Sequence, residues 1–493
     1  MVTLQNVLST PSVTSLLDMA VRNDAIRSAA LKVAEKALYK QIVERNLYNQ
    51  PIRAQMDKFY IARNMLYSLD RALSRGTIAP HVRTSVLKIL MGKILSEDVK
   101  VRQEITAEQG MGIAPPTFLT ISPTKRCNLR CVGCYAESSA GMKETLDYEV
   151  LDRIVTEKTE MWHAHFTVIS GGEPLMYKSR GKDILDLCRA HPDNYFMMYT
   201  NGTLIDRKMA ERMAEVGNLS PAISVEGLEQ ETDARRGKGV HRKILRAFEN
   251  LRQVGVPFGI SATATRFNAE IVVSDPFVDF YFEEQGAVYG WIFHYMPIGR
   301  KFTLDLMITP EQRRMMFERE QILLRDRKIF LADFWNCGAL SDGCISAGRT
   351  GGYFYIDWNG NVTPCVFFPY SVHNIVEVYR SGGDLNTVLN APFLQAIRAW
   401  QEEYGFRKPA REVGNRIAPC VIRDHHRVAR EAVERFGARP IDEAAGEALK
   451  DEEYFEGMVA YGEAVDRATK DIWETEYIAP EREKTEEAAR IAV

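Results

Sequence analysis

Six short apolar runs recur along the middle of the chain: Phe118–Ile121, Phe166–Ile169, Tyr195–Tyr199, Ala222–Val225, Gly259–Thr263 and Trp291–Met296. Segments of helical period, such as Tyr148–Glu157, Asp206–Val216 and His241–Val254, lie between them. This alternation constrains the fold more than any other feature. A hairpin leaves no room for an intervening helix, whereas a crossover between parallel strands does. Six such units complete only part of a circle. The expected fold class is α/β, an open partial (β/α)6 barrel rather than a closed eight-stranded one. Parallel strands end on one rim, where sites form on the loops.

The flanks read differently. Residues 1–105 carry helical stripes (Leu31, Leu38, Ile42; Phe59, Ala62, Leu66, Leu69, Leu73; Val82, Val86, Leu90, Ile94) and no strand. Residues 106–116 make a linker. Residues 303–330 look helical, and 335–370 are glycine-rich, with Asn359-Gly360 as a type I′ hairpin signal. A helix is expected over Leu385–Trp400, and a helical or partly disordered acidic tail after Ala438. The expected domains are 1–105, 106–302, 303–438 and 439–493, since 493 residues exceed one average domain.

Residues 1–105 hold 16 Lys/Arg against 9 Asp/Glu, and residues 441–493 hold 6 against 16. The basic, amphipathic N-terminal segment suits peripheral contact with a membrane surface, or packing on the next domain. Nothing in the charge distribution calls for nucleic acid. No apolar run is long enough to span a membrane and no secretory signal is evident, so a cytoplasmic protein is expected.

Cys127, Cys131 and Cys134 follow the first strand in the spacing C-x3-C-x2-C. Three thiolates on one compact loop can hold three irons of a 4Fe-4S cube and leave the fourth open. A zinc site with a fourth ligand from elsewhere is the alternative. Gly171-Gly172-Glu173-Pro174 ends the second strand, Thr200-Asn201-Gly202 the third, and Ser224-Val225-Glu226-Gly227 the fourth. Cys188, on a helical stripe, reads as a buried core thiol.

The cysteine spacing followed by GGEP at the next strand end resembles the radical S-adenosylmethionine (SAM) superfamily over roughly residues 117–300. The resemblance implies a catalytic cluster on Cys127, Cys131 and Cys134. The open iron would be chelated by S-adenosylmethionine, and reductive cleavage would give a 5′-deoxyadenosyl radical that abstracts hydrogen. It implies that Gly171, Gly172, Glu173 and Pro174 contact the methionine amino group, with Glu173 as acceptor and Gly172 allowing close backbone approach. Thr200, Asn201, Ser224 and Glu226 fall near the ribose. Arg236 pairs with the methionine carboxylate, and Tyr295–Arg300 lies near adenine. Where many members have an aromatic residue before the third cysteine, this chain has Gly133. Tyr135 is the expected substitute.

Cys344, Gly360 and Cys365 resemble the auxiliary-cluster extension called SPASM or, when shortened, twitch. That resemblance implies one auxiliary 4Fe-4S cluster on Cys337, Cys344, Cys365 and Cys420. His425 and His426 read as surface or helix-cap residues. The expected function is an oxygen-sensitive oxidoreductase acting on a peptide or protein, fed by a low-potential donor such as ferredoxin or flavodoxin. A lipid or apolar metabolite is the second reading, and a non-catalytic iron–sulfur or zinc protein the third.

Overall fold

The computed structural model describes residues 23–46, 48–98, 101–102, 104–105, 115–300 and 302–481. Most of the expected linker, 106–114, lies outside them. Six parallel strands form the centre: β1 (Phe118–Ile121), β2 (Phe166–Ile169), β3 (Tyr195–Thr200), β4 (Leu219–Val225), β5 (Gly259–Ala264) and β6 (Tyr289–His294). They pair in chain order. Their outward residues, such as Leu119, Ile121, Phe196 and Ile223, are buried against the covering helices. Their inward residues line a lumen, and the sheet is an open (β/α)6 barrel.

The sheet is wider than the six expected strands. The three-residue β7 (Leu331–Asp333) pairs parallel with β6. On the other edge, β8 (Tyr355–Ile356) pairs parallel with β1, and β9 (Asn361–Thr363) pairs antiparallel with β8. The segments on both sides of residue 302 therefore share one sheet.

The β8–β9 turn corrects the expected type I′. That type requires positive φ at both central residues. Gly360 has φ +83°, but Asn359 is not among the positive-φ residues. The turn is instead built round Asp357, whose carboxylate accepts from Asn359 N–H at 2.8 Å and Asn361 N–H at 2.9 Å. The helix expected over Leu385–Trp400 is two helices, Leu385–Leu389 and Pro392–Tyr404, interrupted just before Pro392.

The N-terminal helices pack on the rest of the molecule. Val82, Val86 and Ile89 share a core with Tyr195 of β3. Asn64 Nδ2 donates to Leu324 O at 2.8 Å. Helix Asp24–Tyr39 buries no residue, and Val33 on it is 70% exposed. The acidic C-terminal segment is a packed helix, Glu452–Ile472, which buries Met458, Val465 and Ile472; residues 482–493 lie outside the described residues. Cys188 is fully buried in the main core. No helix among the described residues is long and apolar enough to cross a membrane.

Candidate active site

The loop carrying Cys127, Cys131 and Cys134 leaves β1 and is gripped from three sides. From the end of β2, Gly172 N–H donates to Thr124 O and Glu173 N–H to Arg126 O, each at 2.8 Å. After β6, Arg300 N–H donates to Cys134 O at 3.0 Å, and its guanidinium donates to Cys131 O at 2.7 Å and Ser138 O at 2.5 Å. From helix Glu229–Arg236, Arg235 Nε donates to Val132 O at 3.1 Å, and Val132 N–H returns a bond to Arg235 O. The clamp by Arg300 was not legible in the sequence. Only its place just after β6 hinted at it.

Gly172 has no space for a side chain. A Cβ there would overlap the Arg126 carbonyl oxygen and lie 2.6 Å from that of Lys125. The close approach expected of this glycine is therefore to the cysteine loop.

The three cysteines line one cavity of about 320 Å³. Cys127 is buried, which pushes its thiol up to about 12. Leu129 N–H faces its sulfur at 3.4 Å and Asn201 Nδ2 at 3.7 Å. Arg236 Nη1 lies 4.0 Å from Cys131 Sγ. Tyr135, Gly171, Gly172, Thr200, Asn201, Ser224 and Arg236 also line the cavity.

Glu173, Pro174 and Glu226 are not among the lining residues. The fully buried Glu173 accepts from Leu175 N–H at 3.1 Å, Thr200 Oγ1 at 2.8 Å and Asn201 N–H at 2.8 Å. It ties the end of β2 to the end of β3, and burial raises its pKa. Glu226 holds both neighbouring arginines, Arg235 Nη1 at 2.6 Å and Arg236 Nε at 2.7 Å.

Tyr135 turns into the lumen, where its hydroxyl meets Ser170 Oγ at 2.7 Å. The ring beside residue 133 is that of Tyr295. A Cβ on Gly133, which has φ +62°, would stand 2.6 Å from Tyr295 Cε2. Tyr295, and not Tyr135, fills the space next to the third cysteine.

No three His, Cys, Asp or Glu side chains among the described residues converge as the ligands of one ion must. Zinc needs all its ligands about 2.0–2.3 Å from one point. A cube spreads its cysteines over separate irons. Three thiols lining one cavity, with N–H donors on Cys127 and a guanidinium beside Cys131, suit the cube.

In the second group, Cys344, Cys365 and Cys420 lie close enough to act on one another electrostatically. Burial pushes Cys365 up to about 12. Glu320, Asp333 and Asp57 lie near enough to Cys337 to act on it electrostatically. Trp335 is turned toward Cys420, and Arg349 feels the charge of Cys344. Arg349 Nε is buried without a hydrogen-bond partner, and the buried Trp335 side chain has Cys420 as its acceptor. Buried donors beside Cys344 and Cys420 suit an anionic group. His425 and His426 each bond a backbone carbonyl, of Ala418 at 2.9 Å and Ile422 at 2.7 Å.

The sequence matches the Radical SAM superfamily over residues 121–267. Mycofactocin maturase MftC of Mycolicibacterium smegmatis is 30% identical over 303 residues, 58% of this chain and 74% of that protein. Fe-coproporphyrin III synthase of Methanosarcina barkeri is 29% identical over 218 residues, 42% of this chain, which spans only 50% of that enzyme. Among solved structures, Streptococcus suis SuiB bound to S-adenosylmethionine aligns with a TM-score of 0.49 and 19% identity, over 61% of this chain and 72% of that one.

Proposed function

Because the chain belongs to the radical S-adenosylmethionine superfamily, we propose that this radical SAM enzyme holds its 4Fe-4S cluster on Cys127, Cys131 and Cys134 and modifies a peptide. The carrying observation is that these three thiols line one cavity at the strand ends, with two N–H donors on Cys127 and a guanidinium beside Cys131. Bound there, the cluster and S-adenosylmethionine supply reductive cleavage of the sulfonium and hence the power to abstract hydrogen from carbon.

The chain's own residues do the rest. Leu129 N–H and Asn201 Nδ2 stabilise negative charge on Cys127. Arg236, steadied by Glu226, offers a cation beside Cys131 for the methionine carboxylate. Gly171 presents its backbone to the methionine amino group and Ser224 its hydroxyl to the ribose, while the Thr200 hydroxyl is held by Glu173. Glu173 keeps the wall rigid from behind.

Cys344, Cys365 and Cys420 hold an auxiliary 4Fe-4S cluster, with Cys337 as the fourth candidate. The buried donors beside Cys344 and Cys420 support this. The resemblance of the second cysteine group to the SPASM extension favours a peptide substrate, and this chain spans 74% of a relative named as a maturase. A ferredoxin or flavodoxin serves as donor.

Anaerobic reconstitution tests the proposal. About eight irons per chain, and 5′-deoxyadenosine formed from S-adenosylmethionine under reduction, are expected. Bound zinc without cleavage rejects it. The apolar lumen also suits an apolar metabolite presented by a membrane. Absence of vesicle flotation by the full chain removes the membrane part of that second reading.

A further inference from the structure

Below the cysteine loop the lumen is belted by aromatic rings. Tyr199 meets Phe293 edge-on at 5.5 Å between centroids, and Phe293 lies 6.0 Å from Phe367. Phe367 lies 6.0 Å from Phe334, and Phe334 lies 6.4 Å from Tyr353. Tyr353 stacks on Phe118 at 5.0 Å. All six line the cavity. The belt thus runs from β3 and β6 across the C-terminal segment to β1.

Both cysteine groups border the belt. Tyr135, next to Cys134, touches the Phe367 ring at 6.1 Å. Phe367 N–H faces Cys365 Sγ at 3.4 Å. Opposite, β4 and β5 present the hydroxyls of Ser224 and Ser261, 3.4 Å apart, and of Thr263.

The aromatic belt offers an ionised occupant almost nothing. No Asp, Glu or Lys is among the lining residues. Arg235 and Arg236 line the cavity beside the cysteine loop, where Glu226 engages both and Arg236 is the cation assigned above to the methionine carboxylate. His294 is fixed between Asp333 at 2.6 Å and Arg423 at 2.9 Å. Asp333 accepts the Nε2 proton and Arg423 donates to Nδ1, so the ring is a neutral tautomer with both nitrogens in use. A charged group entering the belt would lose its water without gaining a counterion.

We infer that the belt is the pocket for the reacting side chain of the substrate, and that this side chain is uncharged and aromatic. Rings offering both faces and edges on facing walls match an aromatic ring better than a flexible aliphatic chain. The inference rests on the reading that this cavity is the seat of the radical chemistry.

The test is anaerobic equilibrium dialysis of the reconstituted, S-adenosylmethionine-loaded enzyme against N-acetyl-tyrosine amide, N-acetyl-leucine amide and N-acetyl-glutamate amide. The tyrosine amide should bind about tenfold or more tighter than the glutamate amide. Phe293→Leu, which keeps apolar volume but removes a ring, should weaken the tyrosine amide about fivefold and leave the leucine amide unchanged. Equal affinity for all three probes overturns the inference, as does absence of saturable tyrosine-amide binding up to its solubility limit. An equal loss for both neutral probes in the variant also overturns it. If the variant does not fold, the probe series on the unaltered enzyme decides. The 5′-deoxyadenosine released without probe is measured in parallel. Its absence counts against the radical reading, whereas its presence without probe preference counts against this inference alone.

Discussion

The two cysteine groups are built on opposite plans. The first lies on one loop after β1, held by Gly172, Arg235 and Arg300, with Cys131 and Cys134 only half-buried. The second is assembled from separate segments, with Cys365 and Cys420 buried and Cys337 facing acidic residues. A loop site is specified locally and needs neighbours only to brace it. A site gathered from distant segments exists only when the whole C-terminal region has folded. The first should therefore fail by loss of bracing, and the second by loss of assembly.

The sharpest break comes from changing Cys127, Cys131 and Cys134 together to alanine. 5′-Deoxyadenosine formation should vanish while about half the iron stays. Loss of all the iron would mean that the groups are not independent. Next in size, Cys420→Ser should remove the auxiliary iron whereas Cys337→Ser should largely keep it. Iron analysis with electron paramagnetic resonance reads the contrast, and the reverse pattern would make Cys337 a ligand. Gly172→Ala forces a methyl into the Arg126 carbonyl. It should cost about a hundredfold in turnover by displacing the loop, with the auxiliary signal intact.

The smallest effect concerns Asp57, which acts on Cys337 and accepts from Tyr477 at 2.6 Å. Burial pushes its carboxyl up from 3.8 to about 6. The fold thus favours the protonated form. The unfavourable contribution is greatest above pH 6, shrinks as pH falls through 6, and is gone below the unfolded value. Asp57→Asn should add about 1–3 kcal/mol of stability at pH 8, a gain that fades near pH 4. Thermal melts at the two pH values check this.

The barrel was legible because each of its six strands is an apolar run at a spacing that only parallel crossovers satisfy. The cysteine loop was legible because its ligands are neighbours in sequence. What escaped depends on partners far along the chain. Residues 331–333 are too few to show a period, and β8 is two residues long and finds its partner in β1. The replacement of an aromatic at residue 133 by Tyr295 is a packing exchange between two loops. Glu173 sits in the expected motif yet spends its oxygens on β3 and the turn after β2, a division of labour that residue type alone does not specify.

The parallel pairing of β8 with β1 has a mechanical consequence. One continuous ladder of backbone bonds joins the strand that launches the first cysteine loop to the hairpin leading into Cys365. The position of Cys365 relative to the first cysteine loop is therefore tied to this shared ladder. Hinged redox proteins swing one centre toward another. Here the gap between the first loop and Cys365 is spanned by backbone bonds made at folding.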